Sequence, residues 1–287
     1  MDHRDRTGLP QTIRCGSLFA FGSRDTADRT HMVSGEQTAE FCRAGQYPQW
    51  TRGHTPPCLL RADTAKTTNM KNYKIVYEDD SLFVLWKRSG VPVQSARASV
   101  PDIMSMLQND LAERNIPGSY LGLVNRLDQP VEGIFLVARD KKAAADLSRQ
   151  VQDHIHMEKW YQALVCGKLP ADEGTLVDYL LKEKQKNISR VVSQGTKGAR
   201  RSELRYQVIG QRDGKCLLKI RLLTGRHHQI RLQLSHAGVP VVGDQKYGKP
   251  EEKGRSLALC ACELAFRHPV TGEKMRFLEP PTFSLAD

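Results

Sequence analysis

The sequence lacks the features of a membrane or secreted protein. It has no apolar run long enough to cross a bilayer, and its start lacks the charged-then-apolar pattern of a signal peptide. The 7 cysteines are scattered, and none forms a Cys-x-x-Cys pair, so neither a disulfide framework nor a zinc site is indicated. Cys260 and Cys262 alternate with apolar residues in LALCACELAF. We interpret them as reduced strand residues of a cytoplasmic protein.

Acidic residues are also in short supply. The chain of 287 residues has 32 Asp+Glu against 43 Lys+Arg, a formal net charge of +11 at pH 7. This excess indicates a polyanionic partner, most often nucleic acid, although an ordinary basic enzyme could carry it too. His227 and His228 look like metal ligands, but consecutive helical residues point in different directions and no third ligand stands at a suitable spacing. We therefore expect no bound metal.

Residues 1–69 differ in pattern from the rest of the chain. They show no sustained helical or strand period and are rich in Gly, Pro, Thr and Asp, which is typical of a poorly ordered extension. They hold 9 basic and 7 acidic residues, so most of the net positive charge belongs to residues 70–287. The ordered pattern begins at about Met70, which also fits a start codon assigned too early.

Strand and helix patterns follow one another from residue 71 onward. Two short apolar runs around an acidic turn predict a hairpin, and apolar spacing predicts helices within 101–115 and 140–155. Alternation predicts strands in KWYQALVCG and KCLLKIRLLTG, and RHHQIRLQLSHAGVP is interpreted as a helix closed by Gly238 and Pro240. Because strands and helices do not alternate regularly, we expect an α+β fold. Its mixed, mostly antiparallel central sheet would be flanked by helices and carry a catalytic cleft.

Asp128 lies in NRLDQPVEG, just before an apolar strand pattern and close to Arg126. On pattern alone, a loop Asp beside a proline is most often a turn residue. At the edge of a cleft its charge would need a cationic neighbour, because desolvating a lone carboxylate is costly. Arg231 is the candidate partner, since a helical projection places it beside the apolar stripe of its helix. A solvated helix charge is an equal alternative for that arginine.

Three segments, in this order, resemble the RluA family of pseudouridine synthases, enzymes that isomerise uridine within RNA. The family's aspartate motif, roughly HRLDxxTSG, corresponds to NRLDQPVEGIFLVA, and its tyrosine segment, K-x-Y-x-A-x-V, to KWYQALV. Its third motif, GRxHQIRxHxxxxGxPxxGDxxYG, corresponds to GRHHQIRLQLSHAGVPVVGDQKYG. The segment IVYEDDSLFVLWKRSGVPV also resembles the family's first strand pair. Residues 1–69 are not covered by this resemblance.

The resemblance implies roles for four residues. Asp128 is the expected catalytic aspartate, Tyr161 the ring that stacks on the target base and a candidate for proton transfer, and Arg231 the partner that ionises Asp128. Arg126 matches an arginine that reaches toward the RNA. Several positions depart from the family pattern: Asn125 for His, Val131-Glu132 for Thr-Ser, Gln233 for His, and WKRSG for NKPAG. These departures bear on substrate choice and on the surroundings of the site.

The implied reaction requires no cofactor. It breaks the bond between ribose C1′ and base N1, turns the base and rejoins it through C5, so nothing is oxidised and no group leaves. The uridine has to leave its helix at a cost of about a few kcal/mol, which basic side chains on phosphates offset. The expected RNA-binding residues are Arg126, Arg226, His228, Gln229, Lys184, Lys186, Arg190, Arg200 and Arg201. The last five lie in a basic segment, residues 181–206, that we interpret as loop-rich, with a solvated surface run as the alternative.

Two other functions stay open on the residues alone. One is an RNA-binding relative without activity that acts as an RNA-folding chaperone. The other is a hydrolase with Asp128 as nucleophile, which lacks a second acid or base at a recognisable spacing. Residues 1–69 lack the helix pattern of a separate RNA-binding domain. We therefore expect a monomeric synthase with one catalytic domain, 70–287, that acts on a compact stem-loop of ribosomal or transfer RNA.

Overall fold

The structure is a computed structural model that describes residues 72–287 except 98, 117, 119, 154, 155 and 184. The predicted extension over 1–69 and its boundary at Met70 lie outside the described residues. Within the described part there are eleven strands, three α-helices and a short 3-10 helix at Pro250–Glu252. No helix of this part is both long enough and apolar enough to cross a bilayer.

The strands and helices have the following bounds. The strands are β1 (Tyr73–Glu78), β2 (Leu82–Lys87), β3 (Gly122–Leu123), β4 (Glu132–Ala138), β5 (Glu158–Cys166), β6 (Glu173–Glu183), β7 (Ile188–Val192), β8 (Arg200–Arg212), β9 (Lys215–Leu222), β10 (Leu259–Arg267) and β11 (Lys274–Leu278). The helices are α1 (Ile103–Glu113), α2 (Lys141–Asp153) and α3 (Gln229–His236).

The described strands form one sheet in the order β1-β2-β4-β10-β5-β9-β8-β6-β7, with β3 paired to β4 and β11 to β10. The pairings are antiparallel except that of β4 with β10. The predicted α+β fold with a mostly antiparallel sheet is confirmed. Gly133 lies at the parallel junction with φ 122°, and a Cβ there would lie 2.3 Å from the carbonyl oxygen of Ala261. Only glycine lets the two backbones approach this closely.

Apolar side chains bury both faces of the central strands. On β2, Phe83 belongs to the core cluster that contains residues of α1 and α3, whereas Val84 belongs to the cluster beneath α2. Such alternation follows from the two-residue period of a strand. Each fully buried Leu, Ile, Val or Phe side chain contributes roughly 1.5–3 kcal/mol relative to an exposed one. The two-sided burial holds the strands that carry the site.

Local capping explains where the first hairpin and helices begin. Asp79 Oδ1 accepts hydrogen bonds from the amides of Ser81 and Leu82, which closes the turn between β1 and β2. Asp102 and Asp140 accept bonds from amides in the first turns of α1 and α2. A side-chain oxygen at this position satisfies an amide that the helix leaves unpaired. The predicted hairpin and both predicted helices are confirmed.

Two predictions of local structure are wrong. The basic segment 181–206 is not loop-rich: it contains β7 and parts of β6 and β8, which pair with one another. Helix α3 begins only at Gln229, so His227 and His228 lie in the preceding loop. His228 has φ 54°, a left-handed conformation that few non-glycine residues adopt and that stops the helix from starting earlier.

The cysteines of the described part are unpaired. Cys260 and Cys262 lie on β10, as their alternation predicted, and Cys166 and Cys216 are likewise buried and free. Burial raises the pKa of Cys262 to about 11, so its thiol is protonated at neutral pH. The buried thiols therefore pack as small apolar groups.

Candidate active site

Asp128 lies in the loop between β3 and β4, with its carboxylate 30% exposed. Hydrogen bonds join this loop to the turn that follows β2. Lys87 Nζ and the amide of Gly90 both donate to the carbonyl of Gln129, each at 3.0 Å, and Ser89 Oγ donates to the carbonyl of Pro130 at 2.7 Å. The WKRSG segment therefore fixes the position of Asp128 through the backbone of the two residues that follow it.

Lys87 is fully buried and contributes twice to this connection, because its ammonium also donates to the carbonyl of Arg88 at 3.0 Å. Burial lowers the pKa of Lys87 to about 8, against the opposing pull of Asp128 and Glu132. Asn125, which stands where the family has His, accepts a bond from the Leu136 amide at 2.9 Å and anchors the loop to β4. That departure from the family pattern thus has a local structural role.

Arg231 lies on α3 and contacts two carboxylates. Its Nε and Nη2 donate to Asp244 Oδ2 and Oδ1 at 2.7 and 2.6 Å, while its Nη1 lies 3.5 Å from Asp128 Oδ2. The guanidinium is 3% exposed and Asp244 is fully buried. The expected pair with Asp128 is present, but the closer, bidentate partner is Asp244. Arg231 lies at the border between core and cleft, as predicted, because it lines the pocket while its guanidinium is buried.

Burial and charge oppose each other at this cluster. Burial raises the pKa of Asp128 above its ordinary value, and the charges of Arg231, Lys246 and Arg126 counter this effect only in part. Burial also acts to raise the pKa of Asp244, but the bonds from Arg231 outweigh it and the pKa is lowered. Asp244 is therefore the permanent counter-ion of Arg231, and Asp128 is the carboxylate whose protonation responds to its surroundings.

His228 connects the carboxylate to a second tyrosine. Its Nε2 lies 3.7 Å from Asp128 Oδ2, and its Nδ1 lies 2.8 Å from the Tyr247 hydroxyl, which accepts a bond from the Ser189 amide. Burial and the charge of Arg231 lower the pKa of His228 to about 3, so the ring is neutral. The Tyr247 hydroxyl can donate to His228 Nδ1 while it accepts a bond from the Ser189 amide. In that tautomer the proton of His228 lies on Nε2, the ring nitrogen beside Asp128.

Tyr161 is buried on β5 and lines the same pocket as Asp128 and Arg231. Burial, and next the charge on Asp128, raise the pKa of its phenol, which therefore stays protonated. The pocket has a volume of about 580 Å³. A wider groove of about 1120 Å³ also reaches Asp128 and continues past Lys182 and Lys246. The structure thus brings together the carboxylate, the aromatic ring and the arginine that the sequence singled out.

The predicted RNA-binding residues divide into two groups. Four of them line the pocket, namely Arg126, Arg226, His228 and Gln229. Four others, Lys186, Arg190, Arg200 and Arg201, lie on or between β6, β7 and β8. Lys186 and Arg200 are exposed, Arg190 lies 2.9 Å from Glu183, and Arg201 pairs with Glu203. Lys184 lies outside the described residues. The basic residues of this segment therefore lie on a paired β-sheet surface rather than on a loop.

Gln229 is buried, and its amide is used within the protein. Its oxygen accepts bonds from the Thr224 hydroxyl and the Arg226 amide, and its nitrogen donates to the Glu203 carbonyl and to Gln233. These bonds fix the loop before α3 and use both ends of the Gln229 amide, and an RNA contact of Gln229 stays a prediction. Gln233, which replaces the family's His, donates to Asp178 on β6 at 2.9 Å.

Sequence reasoning missed several residues of the site. Asp244, Lys246 and Tyr247 stood in the third motif as VGDQKYG, but no role was given to them. The sequence feature that could have identified them is an acid, a cation and a phenol within four residues, shortly after the predicted helix. The structure folds this segment back onto α3, where Asp244 meets Arg231. Lys87 and Lys159 were also missed, because a lysine within a strand pattern reads as an exposed residue.

Known proteins resemble this chain in sequence and in fold. The profile of the family described as RNA pseudouridylate synthase matches residues 81–236. Ribosomal large subunit pseudouridine synthase C of Salmonella typhimurium is 34% identical over 215 residues, covering 72% of this chain and 66% of that protein. Its namesake in Yersinia pestis is 34% identical over 213 residues, covering 72% and 65%. The chain thus spans slightly less than two thirds of these relatives.

Two solved human structures have a similar fold. Human RNA pseudouridylate synthase domain containing 4 matches with a TM-score of 0.63 at 20% identity, over 74% of this chain and 90% of that one. Human RNA pseudouridylate synthase domain containing 1 matches with a TM-score of 0.61 at 23% identity, over 77% and 89%. At these identities the likeness concerns the fold alone.

Proposed function

The chain belongs to the RNA pseudouridylate synthase family, as its resemblance to the RluA enzymes predicted, and we propose that it isomerises uridine to pseudouridine in ribosomal RNA. The observation that carries this proposal is the shared pocket of Asp128, Tyr161 and Arg231. The relatives' names, which specify the ribosomal large subunit, support ribosomal over transfer RNA.

In the proposed reaction Asp128 supplies the carboxylate that works on the extruded nucleotide. The bond from C1′ to N1 breaks, the base turns, and C1′ bonds to C5, which loses its proton while N1 gains one. Arg231 Nη1 and His228 Nε2 lie 3.5 and 3.7 Å from Asp128 Oδ2, so both side chains limit the orientation of the carboxylate. Asp244 keeps Arg231 in place throughout, because its bidentate bonds do not depend on the substrate.

Tyr161 provides the platform for the base. A buried neutral phenol on a strand has little freedom to move, and stacking on such a ring contributes roughly 1–3 kcal/mol per base. The pocket volume of about 580 Å³ falls within the usual range of small-ligand sites, roughly 300–1,000 Å³. Arg126 is exposed at its edge, within reach of the strand from which the nucleotide departs.

The test is release of tritium from RNA labelled at uridine C5. We expect release by the wild type and a loss of at least about a thousandfold in Asp128→Asn, which keeps the size but not the charge of the side chain. Asp213→Asn is the matched control, since Asp213 is 82% exposed in the turn after β8, outside the pocket. It should behave as the wild type.

The other functions have distinct outcomes in this assay. RNA binding by the wild type without tritium release would support the chaperone instead, and strand cleavage that depends on Asp128 would support a hydrolase. Mapping pseudouridine in ribosomal and transfer RNA, from cells with and without the protein, then identifies the RNA class. A missing site in transfer RNA alone would contradict the ribosomal assignment.

A further inference from the structure

Lys159 is a buried lysine with no protein partner. It lies on β5, two residues before Tyr161 and on the same face of the strand, and it is 7% exposed. Among the described residues it makes no hydrogen bond or ion pair with its side chain, and burial alone lowers its pKa. Lys87, the other buried lysine discussed above, is instead satisfied by two carbonyl oxygens.

The unpaired ammonium opens into the candidate active site. Lys159 lines the same pocket as Asp128 and Tyr161. A Cβ added at Gly225 would lie 3.8 Å from Lys159 Nζ. Because residue 225 is a glycine, no side chain from this position covers the ammonium. Gly225 and Arg226 are exposed at this point. A ligand at the pocket mouth can therefore reach the lysine.

The charges that surround Lys159 favour an anion. Asp128 is the only acid among the described residues that line the pocket, whereas Arg126, Lys182, Arg226 and Arg231 line it too. Burial is the one cause behind the lowered pKa of Lys159, and among the described residues no carboxylate forms an ion pair with its ammonium. A buried charge left uncompensated is costly, and a free protein retains one where a ligand completes the pair.

We propose that Lys159 binds a phosphodiester group of the RNA, next to the nucleotide whose base stacks on Tyr161. The spacing suits this arrangement, because residues i and i+2 of a strand are about 6.6 Å apart along it. The ring and the ammonium then hold neighbouring parts of one nucleotide, the base and a phosphate. The choice of an RNA phosphate as the ligand rests on the proposed function. The observation that Lys159 lacks a partner among the described residues does not.

The experiment compares Lys159→Met, which removes the charge at similar volume, with Lys159→Arg, which keeps it. Binding of an unmodified transcript of large-subunit ribosomal RNA is measured across a range of KCl concentrations, and Tm is measured without RNA. We expect Lys159→Met to weaken binding about tenfold and to reduce the slope of log K against log salt by about 0.7. Its Tm should rise by a few degrees, because a buried unpaired charge is removed. Lys159→Arg should keep the slope.

Lys219→Gln is the matched control. Lys219 lies on the adjacent strand β9, but its ammonium packs over Trp160 on the other face of the sheet. The Lys219→Gln change also removes one positive charge, and it should leave the slope of log K against log salt unchanged.

Three results would overturn the proposal. Wild-type binding and slope in Lys159→Met would mean that no phosphate is held there. Weaker binding with an unchanged slope would assign the lysine to a neutral acceptor such as a uracil carbonyl. A lower Tm would mean that the ammonium has a structural role within the protein. The proposed function fails separately, if the wild type releases no tritium, because neither RNA binding nor Tm depends on turnover.

Discussion

Arg231 and Lys159 are both buried cations of one pocket, yet the protein treats their charges differently. Arg231, 3% exposed, donates bidentate bonds to Asp244 and has a second carboxylate at 3.5 Å. Lys159, 7% exposed, has no side-chain partner among the described residues. The charge of Arg231 is therefore satisfied within the fold and positions other groups. The charge of Lys159 is not compensated by another described residue, which is why we propose an anionic ligand for it. Burial alone does not distinguish these roles; the local balance of charge does.

The largest expected effect is that of Arg231→Met. This change leaves Asp244 buried without its counter-ion, so we expect a loss of about 3–5 kcal/mol in the free energy of unfolding and a loss of activity of about a thousandfold. Urea unfolding and tritium release measure the two effects. The comparison with Lys159→Met should give stability changes of opposite sign. If both variants gained or both lost stability, the presence or absence of a pairing carboxylate would not explain the difference between Arg231 and Lys159.

A smaller effect concerns the pH dependence of activity. The proposed reaction uses ionised Asp128, and burial raises the pKa of that carboxyl. We therefore expect single-turnover activity to increase with pH through a value above the ordinary pKa of Asp. Lys246 counters this rise through its charge. Lys246→Gln should raise the pKa of Asp128 further and shift the acidic limb of the profile to higher pH. Lys186→Gln, an exposed lysine outside the pocket, should leave that limb in place. A limb that does not move would show that another group titrates.

The smallest effect is expected for Tyr247→Phe. Loss of the hydroxyl leaves the Ser189 amide and His228 Nδ1 without their shared partner, so His228 can adopt its other tautomer and turn its proton away from Asp128. We expect activity to fall about three- to tenfold, in line with the loss of one ordinary hydrogen bond. The loss should appear in the rate of the chemical step, with RNA affinity unchanged. Tyr206→Phe, a buried tyrosine of β8 outside the pocket, is the control.

Much of the fold could be predicted because its signals are local. The hairpin of β1 and β2 showed as two apolar runs around acidic turn residues, and α1 and α2 showed as apolar residues at helical spacing. The pairs β6–β7 and β6–β8 were missed because their outward positions carry so many Lys and Arg residues that the alternation was hidden. On β8, Ser202, Leu204 and Tyr206 face inward between charged neighbours.

The sequence allowed us to predict which three residues meet in one pocket, but not the residues that hold them in place. Asp128, Tyr161 and Arg231 stood in segments that resemble the family, and the structure places them around one pocket. The pairing of Arg231 with Asp244 depends on a turn that folds back after α3, which no periodicity encodes. Lys159 has no partner because the fold places no acidic side chain within bonding distance of its ammonium among the described residues. The sequence does not show which side chains become neighbours in space.

The bonds that join Gln129 and Pro130 to the turn after β2 have a consequence for the way a substrate fits. With Lys87, Ser89 and Gly90 all holding its backbone, the stretch carrying Asp128 has little freedom to follow an incoming ligand. For the RNA substrate that we propose, the adjustment of shape on docking then falls to the RNA. Segments that already bulge or open easily would fit at the lowest cost, and discrimination between uridines would come in part from how readily the surrounding RNA deforms.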